Sequence, residues 1–296
     1  MAMETEHKTL NPVEVDKALE KMFKCSELGL YIVPDVGGKA VGSTMLTRQF
    51  DVTWNKDVYW IQSVYVEEEH RSKGMFKAMF QYMKEYSQKH GSPRLKLYAE
   101  YDNHRAIQTY KKLGMTETPD FFIHVDFALT TNPNLKKELK DALLKPLEQV
   151  DKSKWSISQL TEADIAWLEG VDSFENTLGT KLEKGAFIEA CKSLIQRGEP
   201  ELIQIVKVEG KPVAFLSLFY EFSDWRNGRS YYFDFFKVAP NTQLGVSSAL
   251  LLNYALAEML ESLKEAVSFR VLIRRPENEV ALQELFKAGF TEAHMK

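Results

Sequence analysis

Val58-Tyr-Trp-Ile-Gln-Ser-Val-Tyr-Val66 runs directly into Glu67-Glu-Glu-His-Arg71-Ser-Lys73-Gly74-Met75-Phe76. The first nine residues are aromatic and β-branched, the composition of a buried strand. Glu67–Lys73 is polar and reads as a loop, and the spacing after Gly74 predicts a helix from about Met75 to His90. A helix start carries four backbone N–H groups without partners and the positive end of the helix dipole. Together these hold a phosphate or pyrophosphate, and Gly74 lets the backbone come close to it. Arg71 and Lys73 add positive charge at the mouth. Taken alone, an Arg-Gly loop before a helix is usually only a turn.

Upstream, Val15, Ala18, Leu19, Met22 and Phe23 give Val13–Ser26 a helical spacing. Two β-rich runs follow, Leu30–Val33 and Lys39–Phe50, parted by the turn pair Gly37-Gly38. Downstream, Arg94–Glu100 alternates Leu95, Leu97 and Ala99 as a strand does. Asn103–Leu113 reads as a helix stopped by Gly114, and Phe121–Leu129 as a closing strand. Thr130–Lys154 is polar and lysine-rich, with Pro133 and Pro146 on either side of a short helix, Leu135–Leu144. This stretch has the character of a linker.

The order of elements then repeats. Strands at Leu202–Val208, Pro212–Phe222 and Ser230–Val238 precede a long helix, Val246–Leu263, and a strand, Val267–Ile273. An opening strand, Trp155–Leu160, and helices at Thr161–Asp172 and Leu182–Gln196 come before them; Asn278–Lys287 forms a last helix. The repeat is countable. Asn103, Ala106, Tyr110 and Gly114 are matched at identical spacing by Asn278, Ala281, Leu285 and Gly289, and Trp54 by Trp225. The chain divides on this reading into residues 1–130, a linker of 131–154, and 155–296.

The chain has 296 residues, 44% of them hydrophobic, enough for two cored domains. Its net charge of −4 leaves no basic footprint for nucleic acid. Cys25 and Cys191 match no metal or redox spacing, and no metal site is expected. No apolar run reaches the length of a membrane span, and Met1–Leu10 lacks the apolar core of a signal peptide. A cytoplasmic protein with no membrane partner is the simplest expectation.

At the Arg71–Phe76 loop the sequence resembles the GNAT family of N-acetyltransferases, whose acetyl-CoA loop follows Gln/Arg-x-x-Gly-x-Gly/Ala. Arg71 and Gly74 match, and Phe76 departs from the small last residue. Trp60–Val66 resembles the Trp-Ile-Gln-Ser-Val-Tyr-Val strand of a bacterial subgroup. Asn103, Ala106, Tyr110, Gly114 and Met115 match a second family motif, Asn-x-x-Ala-x-x-x-Tyr-x-x-x-Gly-Phe/Met. The resemblance covers about Leu30 to Leu129. It implies an α/β (α+β) protein of two GNAT-like domains, each a mixed, mostly antiparallel twisted sheet flanked by helices.

The resemblance also implies roles. Backbone groups of Val64, Tyr65 and Val66 would pair with the pantetheine arm of acetyl-CoA. Amides of Arg71, Ser72, Lys73, Gly74, Met75 and Phe76 would hold the pyrophosphate, and Asn103 the pantetheine side or the thioester. Tyr110 would be the general acid toward the leaving thiolate; apart from the motif it reads as a core aromatic. The family often places Glu where this chain has Gln62, and an amide is no base at neutral pH. Glu100, at the end of the next strand, is a substitute, a water relay is another, and a solvated strand end is the plain alternative for Glu100.

The second half keeps less of this apparatus. Its loop, Val238-Ala-Pro240-Asn-Thr-Gln243-Leu-Gly245, lacks the Arg and is one residue shorter, and Leu285 stands at the acid position. Asp234 stands at the carboxylate position. One active and one degenerate domain is the simplest reading, the second shaping an acceptor site or an interface. The first half lacks an opening strand and the second lacks room for its last ones, so tight packing with a lent strand is expected. The expected activity is acetyl transfer to a primary amine, of a small molecule or of a protein, by direct attack in a ternary complex. The rival reading is an acyl-CoA-binding sensor or interaction protein without turnover.

Overall fold

The computed structural model describes residues 9–99, 102–117, 121–125, 134–172, 174, 182–239, 247–263, 265–273, 283, 286–287 and 291–293. Within them, helix α1 (Pro12–Lys24) is capped by Asn11, whose side chain accepts from the Val13 amide, with Pro12 at the first helical position. Strands β1 (Leu30–Ile32), β4 (Gly42–Asp51), β5 (Lys56–Val66) and β6 (Leu95–Leu97) form one sheet in the order β1-β4-β5-β6. Two short strands, β2 (Asp35–Val36) and β3 (Lys39–Ala40), pair beside it. Helix α2 (Met75–Lys89) connects β5 to the parallel strand β6 and buries Met79, Phe80 and Met83 against Leu46, Tyr59 and Ile61. Helix α3 (His104–Lys112) follows.

The second sheet has seven strands in the order β13-β7-β12-β11-β10-β9-β8. Six come from the second half: β8 (Trp155–Gln159), β9 (Ile203–Val208), β10 (Lys211–Ser223), β11 (Gly228–Val238), β12 (Ala266–Ile273) and β13 (Thr291–Ala293). The seventh, β7 (Phe121–Val125), is the segment that follows α3 of the first half. It pairs antiparallel with β12 from Phe269↔Val125 to Ile273↔Phe121, and on its other side with β13. The expected closing strand of the first half thus lies in the other sheet, and the lent strand anticipated from the truncated ends is present. Strand β13 had no counterpart in the sequence reading, and the helix expected over Asn278–Lys287 lies largely outside the described residues.

Helices α5 (Glu162–Glu169), α6 (Lys184–Arg197) and α7 (Ser248–Ser262) cover this sheet together with α4 (Leu135–Leu144). The capping box read at Thr161 is present: Thr161 and Asp164 answer each other's backbone N–H groups. Helix α4, within the lysine-rich linker, is docked. Leu139 and Leu143 are buried in the second half's core, and Lys140 lies 3.5 Å from Glu258 of α7. At the centre of that core the Phe215 ring lies 5.6, 5.3 and 5.2 Å from those of Phe174, Phe187 and Phe235.

The halves share a local design. In each, an antiparallel hairpin (β4–β5, β10–β11) is followed by a helix and a parallel strand (β6, β12). Each also carries a register shift in the hairpin, between Ser43 and Met45 on β4 and between Ser217 and Leu218 on β10. The repeated order of elements is therefore a repeat in backbone.

Because β7 of the first half is a strand of the second half's sheet, the chain should unfold in a single calorimetric transition, two separated transitions being the contrary result. Phe215→Ala should remove about 3–5 kcal/mol from that transition, read as the shift in urea midpoint at constant slope.

Candidate active site

Strand β5 ends in an opened edge. Strand β6 pairs with it at Tyr59, Trp60 and Ile61, while β4 follows it as far as Val66. From Gln62 to Val66, β4 is its one paired neighbour among the described residues. In this segment Met45 faces Gln62 and Ser43 faces Tyr65, so Ser63 and Val64 together oppose Thr44. That is a β-bulge, with Ser63 at φ 52°, and it bends the strand away from β6. Val64 and Val66 pack with Phe76, Leu97 and Met115 around the α2 core.

The loop after Val66 is tied back to the strand. Arg71 Nε donates to the Val66 carbonyl at 2.9 Å, and its guanidinium lies 5.8 Å from the Tyr65 ring. Ser72 and Gly74 both adopt left-handed backbone, φ 61° and 86°. Gly74 is the N-cap of α2, and no side chain caps that start, whose first amides have no acceptor within the helix. A Cβ on Gly74 would meet nothing within 4 Å; backbone conformation, and not crowding, is what favours glycine here. Arg105 of α3 donates to Ser72 Oγ at 2.9 Å, which brings the start of α3 beside the start of α2. Lys73 is exposed. On the far side of the loop, Glu67, Glu69 and His70 cluster within 4.8 Å, and Lys39 answers Glu67 and Glu69 at 3.0 and 3.7 Å.

Tyr110 is half-buried on α3, its ring edge-on to Phe76 at 5.5 Å. Burial raises its pKa above the ordinary phenol value, so it keeps its proton through neutral pH. Phe76, where the family pattern has a small residue, is thus the ring against which Tyr110 rests. Asn103 caps α3, its Oδ1 accepting from the Ala106 amide at 3.2 Å. Glu100 lies outside the described residues. The loop around Gln243 and Gly245, and Leu285 on the second half, also lie outside them.

Opposite the α2 face, β5 meets the second half, and a polar cluster closes the seam. Gln62 donates from Nε2 to Thr47 Oγ1 at 2.6 Å and to Glu221 Oε2 of β10 at 3.2 Å. Tyr232 of β11 donates to Glu221 Oε1, and Arg270 of β12 donates to the Tyr232 hydroxyl at 2.5 Å. Three residues after Glu221, just past the end of β10, Asp224 accepts from Ser63 at 3.1 Å and from the Tyr31 hydroxyl. Glu221 is 5% exposed. Burial raises its pKa above the usual carboxylate range, with Asp224 adding to that, while Arg270 and Tyr232 pull it down. Burial also raises Asp224 against the bonds from Tyr31 and Ser63. Four rings wall the cluster: Trp60 stacks on Tyr98 at 4.3 Å, and Phe219 on Tyr232 at 4.6 Å.

Glu221, Tyr232 and Arg270 were not singled out in the sequence reading. The signal was present in Phe219-Tyr-Glu221-Phe222, a carboxylate inside an aromatic strand, where a charge is rare unless paired. On the opposite face of β10, a cavity of about 200 Å³ is lined by Arg48, Arg197, Arg229, Glu199 and Tyr220. Its arginines are engaged: Arg197 with Asp57 and Glu199 at 3.0 Å each, Arg229 over the Tyr220 ring at 4.3 Å.

The model of the acetyltransferase (GNAT) family matches residues 2–115. A possible acetyltransferase from Clostridium difficile 630 is 36% identical over 40% of this chain and 78% of its own, with a TM-score of 0.37. The chain belongs to the GNAT acetyltransferase family and is an acyltransferase. A GCN5-related glucosamine N-acetyltransferase region of a fungal multi-domain GH3 beta-N-acetylglucosaminidase shares the fold across 97% of this chain. It does so at 14% identity and a TM-score of 0.51, and the chain spans 34% of that protein. No curated protein matches the chain. Among the described residues, no helix is long and apolar enough to cross a membrane.

The two seam carboxylates give stability a pH signature. With folded pKa values above the unfolded ones, their contribution is complete below the ordinary carboxylate range and is lost as pH rises through the raised values. Melting temperature should fall across that window, and Asp224→Asn should flatten the fall. A variant with the native slope would contradict the burial of this charge.

Proposed function

We propose that this chain transfers the acetyl group of acetyl-CoA to a primary amine by direct attack within a ternary complex. The observation that carries the reading is one continuous surface: the bulged, singly paired Gln62–Val66 edge leading into the uncapped start of α2. The residues fit an extended ligand that ends in a pyrophosphate. Backbone groups of Val64, Tyr65 and Val66 face the gap left by β6 and suit the amide groups of a pantetheine arm. The amides from Arg71 to Phe76 suit the pyrophosphate, helped by the dipole of a 15-residue helix. Arg71 acts by holding this loop to Val66, and Arg105 by holding it to α3.

Bound this way, the thioester would lie near the bulge, between β5 and α3. Tyr110, still protonated at neutral pH, gives its proton to the thiolate sulfur as the C–S bond breaks. The amine nitrogen attacks the carbonyl carbon directly. A cysteine relay finds no support: Cys191 is buried and its thiol pushed up to about 12. Cys25 lines the cavity on the far side of β10. The acceptor amine belongs to a small molecule or a protein, and it approaches where the open edge of β5 meets the seam, since α2 and β10–β11 cover the two faces.

Thiol release from acetyl-CoA, followed across a panel of amines, tests the reaction. Tyr110→Phe should lower kcat on the order of 100-fold while leaving the acetyl-CoA Kd within about twofold. Equal turnover would remove Tyr110 from the mechanism, and binding without release by any amine would favour the sensor reading. Gly74→Val, which forces a β-branched side chain into left-handed backbone, should weaken acetyl-CoA by about 1–2 kcal/mol, or roughly tenfold in Kd by titration calorimetry. An unchanged Kd would remove the loop from the pyrophosphate site.

A further inference from the structure

We propose that Glu221, carried by the second half, is the general base that takes the proton from the attacking amine. The inference rests on the acetyl-transfer reading above and supplies what the first half lacks. Gln62 stands where a carboxylate would serve, and Gln62 Nε2 reaches Glu221 Oε2 at 3.2 Å. The bulge that opens β5 begins at the next residue, Ser63, so the carboxylate lies beside the point where the cofactor edge starts.

The two oxygens of Glu221 have different surroundings. Oε1 is held by the Tyr232 hydroxyl, with Arg270 Nη1 3.9 Å away. Oε2 faces the first half and Gln62. The charged and titratable groups around the carboxylate are Tyr232 of β11, Arg270 of β12, and Asp224 at the end of β10, itself bonded to Tyr31 and Ser63; β4 and β5 present the neutral Thr47 and Gln62. Burial and Asp224 make the carboxylate more basic than an ordinary one, and a general base works best when its pKa approaches the working pH. Arg270 and Tyr232 act the other way and favour its ionised form. In the step, the nitrogen lone pair forms the N–C bond while an N–H proton passes to Glu221 Oε2. The C–S bond then breaks and sulfur takes the Tyr110 proton. Glu221 returns its proton to solvent, from which Tyr110 is reprotonated. No oxidant, metal or covalent enzyme adduct is needed.

A carboxylate buried at a seam can also serve as structural glue, so the test must move something that glue would not. In the full chain, Glu221→Gln should lower kcat/KM about 100-fold or more for alkylamines, with the acetyl-CoA Kd unchanged. The acid limb of the native pH–rate profile that persists when the acceptor is changed should disappear with it. The loss should shrink for a weakly basic amine such as an alkoxyamine, which is neutral at pH 7 and parts with its proton easily. Should Glu221→Gln not fold, Tyr232→Phe keeps the carboxylate and removes a bond that lowers its pKa, so the acid limb should move to higher pH. Native turnover with a Glu221→Gln variant of equal rate and unchanged limb overturns the assignment alone, as does an unmoved limb in Tyr232→Phe. Absence of amine-dependent release in the native protein overturns both the assignment and the transferase reading beneath it.

Discussion

A strand edge left open is a row of unsatisfied N–H and C=O groups, and the structure depends on how one such edge is filled. Strand β12 has β11 on one side, and its other side is occupied by β7, a segment that comes from the far end of the first half. Backbone bonds are directional and come in register, so this pairing sets a relative position as well as an affinity. With β7 anchored, the polypeptide between α3 and α4 is committed to the second sheet. The face formed by β4 and β5 is then brought against β10, and the phenyl ring of Phe222 enters a cluster with Ala18, Met22 and Met45.

What that seam encloses is unusual for an interior. Glu221 and Asp224 both lose water there, and each is answered from the opposite half as well as its own. An unanswered buried carboxylate is costly, and such groups persist when hydrogen bonds meet the charge or when the pKa rises to meet the environment. Both responses are seen. Flanking bonds at the surface, Lys21 to Glu265 at 2.8 Å and Arg197 to Asp57 at 3.0 Å, are exposed enough to contribute little each. The seam is therefore held by ring packing and β7.

Much of this architecture was legible in residue patterns. The VYWIQSVYV run, the loop to Gly74, the helix of Met75 onward and the capping box at Thr161 are local signals, and local signals survive folding. The repeated order of elements is matched by bulges at equivalent places in β5 and β11, whereas the segment matched to Asn103–Gly114 lies largely outside the described residues. The lent strand was inferred from truncated ends, but which strand and into which gap is a matter of long-range pairing that no local pattern encodes. Helix α4 was placed correctly and misjudged in company: its lysines suggested a solvated linker, yet Leu139 and Leu143 face a core and the lysines pair with α7. Glu221 escaped notice because its meaning comes from Gln62, 159 residues away in the chain. A motif read within one half has no means of reporting a side chain supplied by the other.

Strand β5 has four directions, and three of them are settled by packing. Its one edge is paired with β4, its other edge opens past Ile61, and one face is filled by Tyr59, Ile61, Val64 and Val66 against α2. The remaining face, bearing Trp60, Gln62 and Ser63, is covered by β10 and β11. On the proposed reading the donor takes the open edge, and the acceptor reaches the same carbonyl where that edge meets the seam. The half whose own loop departs from the cofactor pattern then does not stand idle. Its rings, Phe219 and Tyr232, and its carboxylates, Glu221 and Asp224, form the wall that an incoming amine must meet. On that reading donor recognition would belong to motif residues of the first half and acceptor selection to side chains of the second, and the two could change separately so long as β7 keeps them in register.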